Sequence, residues 1–410
     1  MAIRTKTVIF TILLVLGLLL RCYYTDWDKK LTGDEVGYNK MVLQLLHEGV
    51  YGYAPYAYSE KPNAFTTPGY PLFLAGCYAV FGYAGDRSPV VQIQALQILI
   101  QLICAIIMYG IARRMFAHTG ISLLMMACYL LHPTFILSPM YLLTETLYGL
   151  FFLIFIYLLV RCAQETKLRW FLLLGVVFGI CVLIRPTIVP FIVVLLAGVA
   201  VYGRKYGMAA VLKAISVITI GFAATMLPWW IRNWMTLDKV LLLAEQTGNP
   251  LLWGSYPFER SPHVDVKQDP AEMGRIAYER IINGFRNEFF TYLSWYSWGK
   301  LLIYISEIFP GLGYITVNKL LSKLITILHM IVMVIGLGGL VKIIIHERRN
   351  AMYMMIALLA VFSILLYLPF SPTPRYFYPT IPLCFLGLGY LLSCTITSKG
   401  RPNKNEGYRA

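Results

Sequence analysis

Long apolar runs, separated by short basic stretches and by two long polar loops, make up almost the whole chain. A run of roughly 18 or more apolar residues can cross a bilayer core of about 30 Å as a helix. The pattern predicts spanning helices at about residues 5–23, 90–114, 119–138, 142–162, 168–184, 187–203, 209–231, 316–345, 351–369 and 376–396. We therefore predict an all-α polytopic membrane protein with about 10 transmembrane helices.

Shorter segments predict helices that lie in the membrane interface. The apolar stretch 68–83 is interrupted by glycine and proline, which favours an interfacial or re-entrant helix. In the second polar loop, Asp269 before Pro270 predicts the start of a short helix. The aromatic run 289–298 that follows suits the headgroup layer, either as a belt anchor or as a lid over a lipid-linked ligand.

Composition and charge agree with this class. Of the 410 residues 58% are hydrophobic and 13% charged, more apolar than a soluble domain of this length needs. With the N-terminus in the cytoplasm, all the short basic loops fall inside, and the acid-rich loops 24–67 and 232–315 fall outside. The formal charge of +15 is then a bias of topology and requires no nucleic-acid partner.

The same distribution predicts three regions and a cellular location. We expect a transmembrane module over 1–232 that contains a catalytic first outer loop (24–67), then an outer loop over 233–315, then C-terminal helices and a basic cytoplasmic tail over 316–410. No Asn-x-Ser/Thr sequence occurs in the chain, which favours the inner (plasma) membrane of a bacterium. The polar outer loops place the active site on the extracytoplasmic side.

Three acidic residues are the first candidates for chemistry. Asp34 and Glu35 follow Gly33 at the start of an amphipathic segment in the first outer loop. They could accept a proton from a hydroxyl or bind a cation, or they could only cap a helix N-terminus. Glu145 lies in the outer turn of a spanning segment, where an ionisable group is costly and suggests function, although it could also be an interfacial acid.

Arginines at predicted helix ends form the second set of candidates. Arg185, Arg232 and Arg375 each lie at the outer boundary, against the positive-inside trend. A guanidinium fork there suits a phosphate, and lipid headgroups are the alternative partners. The first outer loop adds a stretch over 51–71 rich in tyrosine and proline, whose rings could stack on sugars.

The order of these motifs resembles the GT-C glycosyltransferases, nearest to the protein mannosyltransferase and aminoarabinose transferase group. The motifs are Gly-Asp-Glu at 33–35, Thr-Thr-Pro-Gly-Tyr-Pro at 66–71, Thr-Glu-Thr-Leu at 144–147, Arg-Pro-Thr at 185–187, Pro-Trp-Trp-Ile-Arg-Asn at 228–233 and Pro-Arg-Tyr-Phe-Tyr-Pro at 374–379. Glu-Lys-Pro at 60–62 is similar to a motif of the aminoarabinose transferases, but the residues after it depart from that pattern.

The resemblance implies a GT-C-like fold and a transferase that takes a sugar from a polyprenyl-phosphate carrier, with inversion, and gives it to an envelope glycan, lipid or protein. It implies that Asp34, Glu35 and Glu145 are catalytic. Asp34 would be the base, and the other acids would orient the acceptor or hold a divalent cation. Substrate-binding residues would be Glu60, Lys61, Tyr70, Arg185, Arg232, Arg375 and Tyr376.

Two other functions remain open at this point. A transporter or flippase of a lipid-linked glycan would want charges near the bilayer midplane and repeat symmetry, and the sequence shows neither. A structural subunit of the envelope would leave the outer acids and arginines without a role. No organic cofactor is expected, and a requirement for a divalent cation is left open.

Overall fold

The computed structural model describes residues 3–84, 88–165, 167–245, 248–258, 270–312 and 318–399. Within these ranges the regular structure is helical, with no β-strand, and an isolated antiparallel bridge joins Ala54 and Ala57. The predicted all-α membrane class is confirmed.

All ten predicted spanning segments contain helix. They comprise α1 (Ile3–Tyr24), α4 (Val90–Phe116), α5 (Thr119–Leu131), α6 (Pro133–Leu137), α7 (Thr144–Gln164), α8 (Leu168–Ile184), α9 (Ile192–Tyr206), α10 (Met208–Leu237), α15 (Lys319–His346), α16 (Ala351–Tyr367) and α17 (Thr380–Lys399). In the described residues five helices are long and apolar enough to cross a membrane, or six if the bent pair α5–α6 is one span. The chain is thus a multi-pass membrane protein, and the figure of about ten crossings stays a prediction.

Two predicted spans are less regular than expected. The segment 119–138 bends by 57° between α5 and α6, where His132 is extended and Pro133 opens the next helix. Proline lacks an N–H and forces the residue before it out of the helical region, so the helix cannot run straight through. The segment 187–203 likewise begins as a 3-10 helix, Pro186–Phe191, which carries Pro190 inside it.

The remaining helices belong to the two outer loops. They are α2 (Asp34–Glu48), α3 (Gly69–Phe81), α11 (Gly248–Gly254), α12 (Pro270–Asn287), α13 (Phe289–Ser294) and α14 (Lys300–Ser306), with a π-helical turn, Trp295–Gly299, between the last two. The predicted interfacial and short helices are therefore present as helices. The proposed cap Asp269 and most of the basic tail, 400–410, lie outside the described residues.

Close helix packing fixes the frame that carries the site. Where α15 crosses α17, a Cβ on Gly339 would lie 2.1 Å from the carbonyl oxygen of Gly387, so the two backbones touch. Small residues allow such approach in membrane helices. At one end of this frame the start of α2, the start of α7, the end of α8 and the segment before α17 converge.

Candidate active site

Asp34 stands at the first position of α2, at the mouth of a cavity. Gly33 before it has a φ of +56°, a left-handed conformation that favours glycine and turns the chain into the helix. The side chain of Asp34 is 47% exposed, and one carboxylate oxygen accepts a hydrogen bond of 2.7 Å from Nη1 of Arg375. This first-loop acid is therefore accessible and paired with a cation.

Glu35, the next residue, points the opposite way. Its side chain is 1% exposed and forms an ion pair with Lys29. It also accepts hydrogen bonds from the backbone N–H groups of Thr32 at 3.0 Å and Leu142 at 2.9 Å. Glu35 lies outside the cavity lining and ties the first outer loop to the segment before α7.

Glu145 holds an arginine in the cavity wall. Its side chain is 2% exposed and forms an ion pair with Arg185, whose Nε also donates to the hydroxyl of Thr144 at 2.8 Å. Burial lowers the pKa of Arg185, but the Glu145 carboxylate and the nearby Tyr367 and Tyr148 together raise it further, so the net direction is upward and the guanidinium stays charged. Arg185 lines the cavity, while Glu145 lies behind it.

Arg375 lies in a short 3-10 helix, Pro374–Phe377. Burial acts to lower its pKa, whereas the carboxylates of Glu145 and Asp34 raise it to a net value above the ordinary one. Its Nε is buried and has no hydrogen-bond partner among the described residues. The guanidinium thus keeps one donor available for a further acceptor.

The cavity that joins these groups has a volume of about 160 Å³ and aromatic walls. Tyr53 stacks on Phe65 on one side, with ring centroids 5.2 Å apart. Tyr367 stacks on Tyr376 on the other side at 4.8 Å, and the hydroxyl of Tyr367 lies 2.9 Å from that of Thr187. Aromatic faces with a few polar groups between them are suited to a sugar ring.

Three tyrosines of this wall, Tyr38, Tyr53 and Tyr367, were not among the predicted site residues. Tyr38 and Tyr53 both line the cavity, and the pKa of each is raised, first by burial and second by the nearby Asp34. Both phenols therefore stay protonated and can donate hydrogen bonds at neutral pH. The sequence carried a signal for Tyr38, because it follows Asp34 by four residues and so shares its helix face.

Some predicted substrate-binding residues lie away from the cavity. Arg232 donates hydrogen bonds to the carbonyl oxygens of Asn63 at 3.0 Å and Tyr51 at 2.8 Å. These bonds stabilise the conformation of the first outer loop. Glu60 and Lys61 are exposed on that loop. Tyr70 is fully buried and packs edge-on against Tyr38, with ring centroids 5.2 Å apart, so it supports the wall from behind.

A buried lysine braces the chain segment that leads to Arg375. The Nζ group of Lys300 donates to the carbonyl oxygens of Leu368 at 2.6 Å and Phe370 at 3.0 Å. The side chain is fully buried and lies over the ring of Tyr296 at 3.9 Å. Burial lowers the pKa of Lys300 to about 6.

A ladder of glutamines on α4 supports the same site from the membrane interior. Gln94, Gln97 and Gln101 are each fully buried. Their amide groups donate to the carbonyls of Met140 at 3.0 Å and Pro139 at 2.8 Å and to the hydroxyl of Tyr378 at 2.7 Å. These hydrogen bonds satisfy backbone carbonyl groups of the irregular segment 138–143 that precedes α7. Their spacing of three and four residues marks one helix face in the sequence.

The acidic side chains at the site are not arranged as a metal-binding cluster within the described part of the chain. Among the described residues no three His, Cys, Asp or Glu side chains lie close enough to hold an ion together. The carboxylates of Glu35 and Glu145 are each engaged by a basic side chain.

Comparison with known proteins places this arrangement in context. Residues 61–231 match the family model described as dolichyl-phosphate-mannose-protein mannosyltransferase. No curated protein has a sequence that matches the chain.

The fold is similar to that of the Archaeoglobus fulgidus oligosaccharyltransferase. The apo form of that enzyme has a TM-score of 0.56 and 12% identity, with 97% of this chain and 52% of that chain covered. Its form tethered with an acceptor peptide containing the NVT sequon gives a TM-score of 0.55 and 12% identity, with 95% and 50% covered. This chain therefore spans about half the length of those structures, and at this identity the likeness concerns the fold.

A second similar structure is ArnT from Cupriavidus metallidurans bound to undecaprenyl phosphate. It has a TM-score of 0.43 and 12% identity, with 94% of this chain and 78% of that chain covered.

Proposed function

We propose that this chain, which has the fold of the GT-C glycosyltransferases, transfers a sugar from a polyprenyl-phosphate carrier to an acceptor hydroxyl at the Asp34 cavity. The family model that matches residues 61–231 is named for an enzyme with a dolichyl-phosphate donor, which supports a polyprenyl-phosphate donor here. The observation that carries the proposal is the pairing of Asp34 with Arg375 at the mouth of an aromatic-walled cavity.

The two arginines of the cavity would bind the donor phosphate. Arg375 keeps an Nε donor that has no partner among the described residues, and Glu145 forms an ion pair with Arg185 in the same cavity lining. A guanidinium offers two parallel N–H groups to a phosphate and is the side chain best suited to this contact. A charged phosphate would compete with the Asp34 carboxylate for Arg375.

This competition for Arg375 would free Asp34 to act as the catalytic base. Once the phosphate engages Arg375, the carboxylate of Asp34 is released to accept the proton of the acceptor hydroxyl. The hydroxyl oxygen bonds to the anomeric carbon as the bond from that carbon to the phosphate oxygen breaks, and the electron pair leaves on the phosphate. Displacement from the face opposite the leaving group inverts the anomeric centre. The arginines stabilise the charge that develops.

The other predicted site residues take supporting roles in this proposal. Glu145 keeps Arg185 in place, Glu35 and Arg232 hold the first outer loop, and Tyr70 backs Tyr38. Glu60 and Lys61 remain predicted contacts of the acceptor or the carrier at the exposed rim of the loop.

The size of the cavity favours a single sugar as the transferred group. Its volume of about 160 Å³ is below the roughly 300–1,000 Å³ of pockets that enclose drug-sized ligands. We therefore propose a monosaccharide donor. The acceptor, an envelope glycan, lipid or protein, would approach from the exposed side of Asp34.

We also propose that the cavity opens on the extracytoplasmic side of a bacterial inner membrane, because the short basic loops lie at the other helix ends. Reporter fusions at residue 60 and residue 348 test this orientation. Residue 60 should report outside and residue 348 inside. The reverse pattern would overturn the assigned side.

The function is tested by mass spectrometry of lipid extracts and envelope glycans from a deletion strain. The strain is complemented with the wild type, with Asp34→Asn, or with Asp28→Asn, which removes an exposed acid of the same loop. We expect a polyprenyl-phosphate monosaccharide to accumulate, and one glycan to lose a sugar, in the deletion and in Asp34→Asn only. Unchanged lipid-linked sugars in all strains would contradict the proposal.

A further inference from the structure

A second and larger cavity lies at the opposite end of the helices that carry the site. Its volume is about 610 Å³, and it is bounded by α7, α8, α9, the end of α15, α16 and the loop between α15 and α16. Cys162 in its wall and Thr144 in the site lie on the same helix, and 18 residues at 1.5 Å each separate them by roughly 27 Å. The cavity is therefore separate from the proposed active site.

The walls of this cavity are apolar. Leu159, Phe171, Leu174, Leu195 and Val199 line it, and all are buried in the protein. Its volume falls within the roughly 300–1,000 Å³ of pockets that enclose drug-sized ligands. Such a lining favours hydrocarbon over water.

The mouth of the cavity is basic. Arg348 and Arg349 line it and are exposed, and neither forms an ion pair within the described part of the chain. The acid beside them, Glu347, accepts a hydrogen bond of 3.1 Å from the hydroxyl of Tyr390. By contrast, Arg114 and Arg161 on neighbouring helices both form ion pairs with Glu165.

We propose that this cavity binds one anionic phospholipid of the bilayer, with part of its acyl chains against the apolar walls and its phosphate on Arg348 and Arg349. Two guanidinium groups that have no acidic partner among the described residues, at the mouth of a hydrocarbon-lined cavity, complement the two parts of such a lipid. Phosphatidylglycerol has this chemistry, whereas phosphatidylcholine has the same chains but no net charge. The proposal does not depend on glycosyl transfer at the other end.

The test is native mass spectrometry of the full chain after delipidation and incubation with vesicles of phosphatidylglycerol or of phosphatidylcholine. We expect one phosphatidylglycerol to be retained and phosphatidylcholine to be lost. Arg348→Gln/Arg349→Gln should weaken phosphatidylglycerol retention by about tenfold or more, since it removes two charge-assisted contacts. The control is Arg113→Gln/Lys342→Gln, which removes two basic charges from α4 and α15 at residues that do not line the cavity. This variant should retain the lipid.

A second variant addresses the apolar part of the site. Ala163 is exposed and lines the cavity, so Ala163→Phe should fill the space without disturbing the core and should also reduce retention. Equal retention of both lipids, or equal loss in the arginine variant and its control, would overturn the proposal. Selective retention of added undecaprenyl phosphate over phosphatidylglycerol would overturn the assignment to a phospholipid.

Discussion

Asp34 and Arg375 are 341 residues apart in the sequence and are joined by a hydrogen-bonded ion pair of 2.7 Å. The pair closes one side of the cavity between the first outer loop and the segment before α17. Because both side chains are partly exposed, the pair is expected to contribute only about 0–1 kcal/mol to stability. Substitutions at either position should therefore report on function with little effect on folding.

Asp34→Asn should lower the transfer rate by about 10²–10⁴-fold, because the amide cannot take the proton of the acceptor. Thermal unfolding should stay close to that of the wild type. The measurement is transfer of a radiolabelled sugar from polyprenyl phosphate by the purified protein, with Asp28→Asn as the control. Full activity in Asp34→Asn would remove the base assignment.

Arg375→Lys should weaken binding of the donor more than it slows the chemical step, because lysine keeps the charge but loses the bidentate fork. We expect the KM for the donor to rise by about tenfold or more. Kinetics over a range of donor concentrations measure this change. Arg275→Lys, on the exposed face of α12, is the control, and an unchanged donor KM in Arg375→Lys would refute the phosphate contact.

Glu35→Gln should act on stability. It leaves the ammonium group of Lys29, whose side chain is only 10% exposed, without its counter-charge. Breaking a buried pair in this way costs about 3–5 kcal/mol, so the unfolding temperature should fall clearly. Lys29→Met/Glu35→Gln should recover part of the loss, whereas a stable but inactive Glu35→Gln would show that Glu35 takes part in catalysis.

Lys300 should make stability depend on pH. Its pKa is about 6 in the fold against 10.5 ordinarily, so between these values the unfolded chain holds a proton that the folded chain lacks. Stability therefore rises with pH in this window, by up to about 1.4 kcal/mol per unit, and falls as pH decreases toward 6. Lys300→Met should flatten the profile of unfolding temperature between pH 6 and 9. The exposed-site control Lys319→Met should keep the wild-type slope, and an unchanged slope in Lys300→Met would contradict this account.

Much of the fold could be predicted from the sequence, because hydropathy and proline are local signals. The membrane helices fall where apolar runs predicted them, whereas α11 and α14 were not predicted. The predicted fold agrees with its likeness to the Archaeoglobus fulgidus oligosaccharyltransferase. The bend at Pro133 was not predicted, although proline before an otherwise apolar run is a signal for it.

The site was harder to predict, because it depends on which way each side chain faces. Asp34, Arg185, Arg375 and Tyr376 do line one cavity, as their positions at helix ends suggested. The sequence could not distinguish Asp34 from Glu35, since adjacent helix positions point about 100° apart and only packing decides which one is buried. Arg232, like Arg375, lies at a predicted outer helix boundary. Its N–H groups, however, donate hydrogen bonds to backbone carbonyl oxygens of the first outer loop.

The three buried glutamines of α4 affect how this helix can insert into the membrane during synthesis. Hydropathy ranks α4 as an ordinary membrane span, but Gln94 and Gln97 find their acceptors on carbonyls 42 to 46 residues later in the chain. During synthesis α4 therefore leaves the ribosome before these acceptors exist. Gln94 can already donate to the carbonyl oxygen of Asp26, but the amides of Gln97 and Gln101 would be unsatisfied in lipid. Stable integration of α4 is thus expected to wait for residues 138–141, so that these segments enter the bilayer as one cooperative unit.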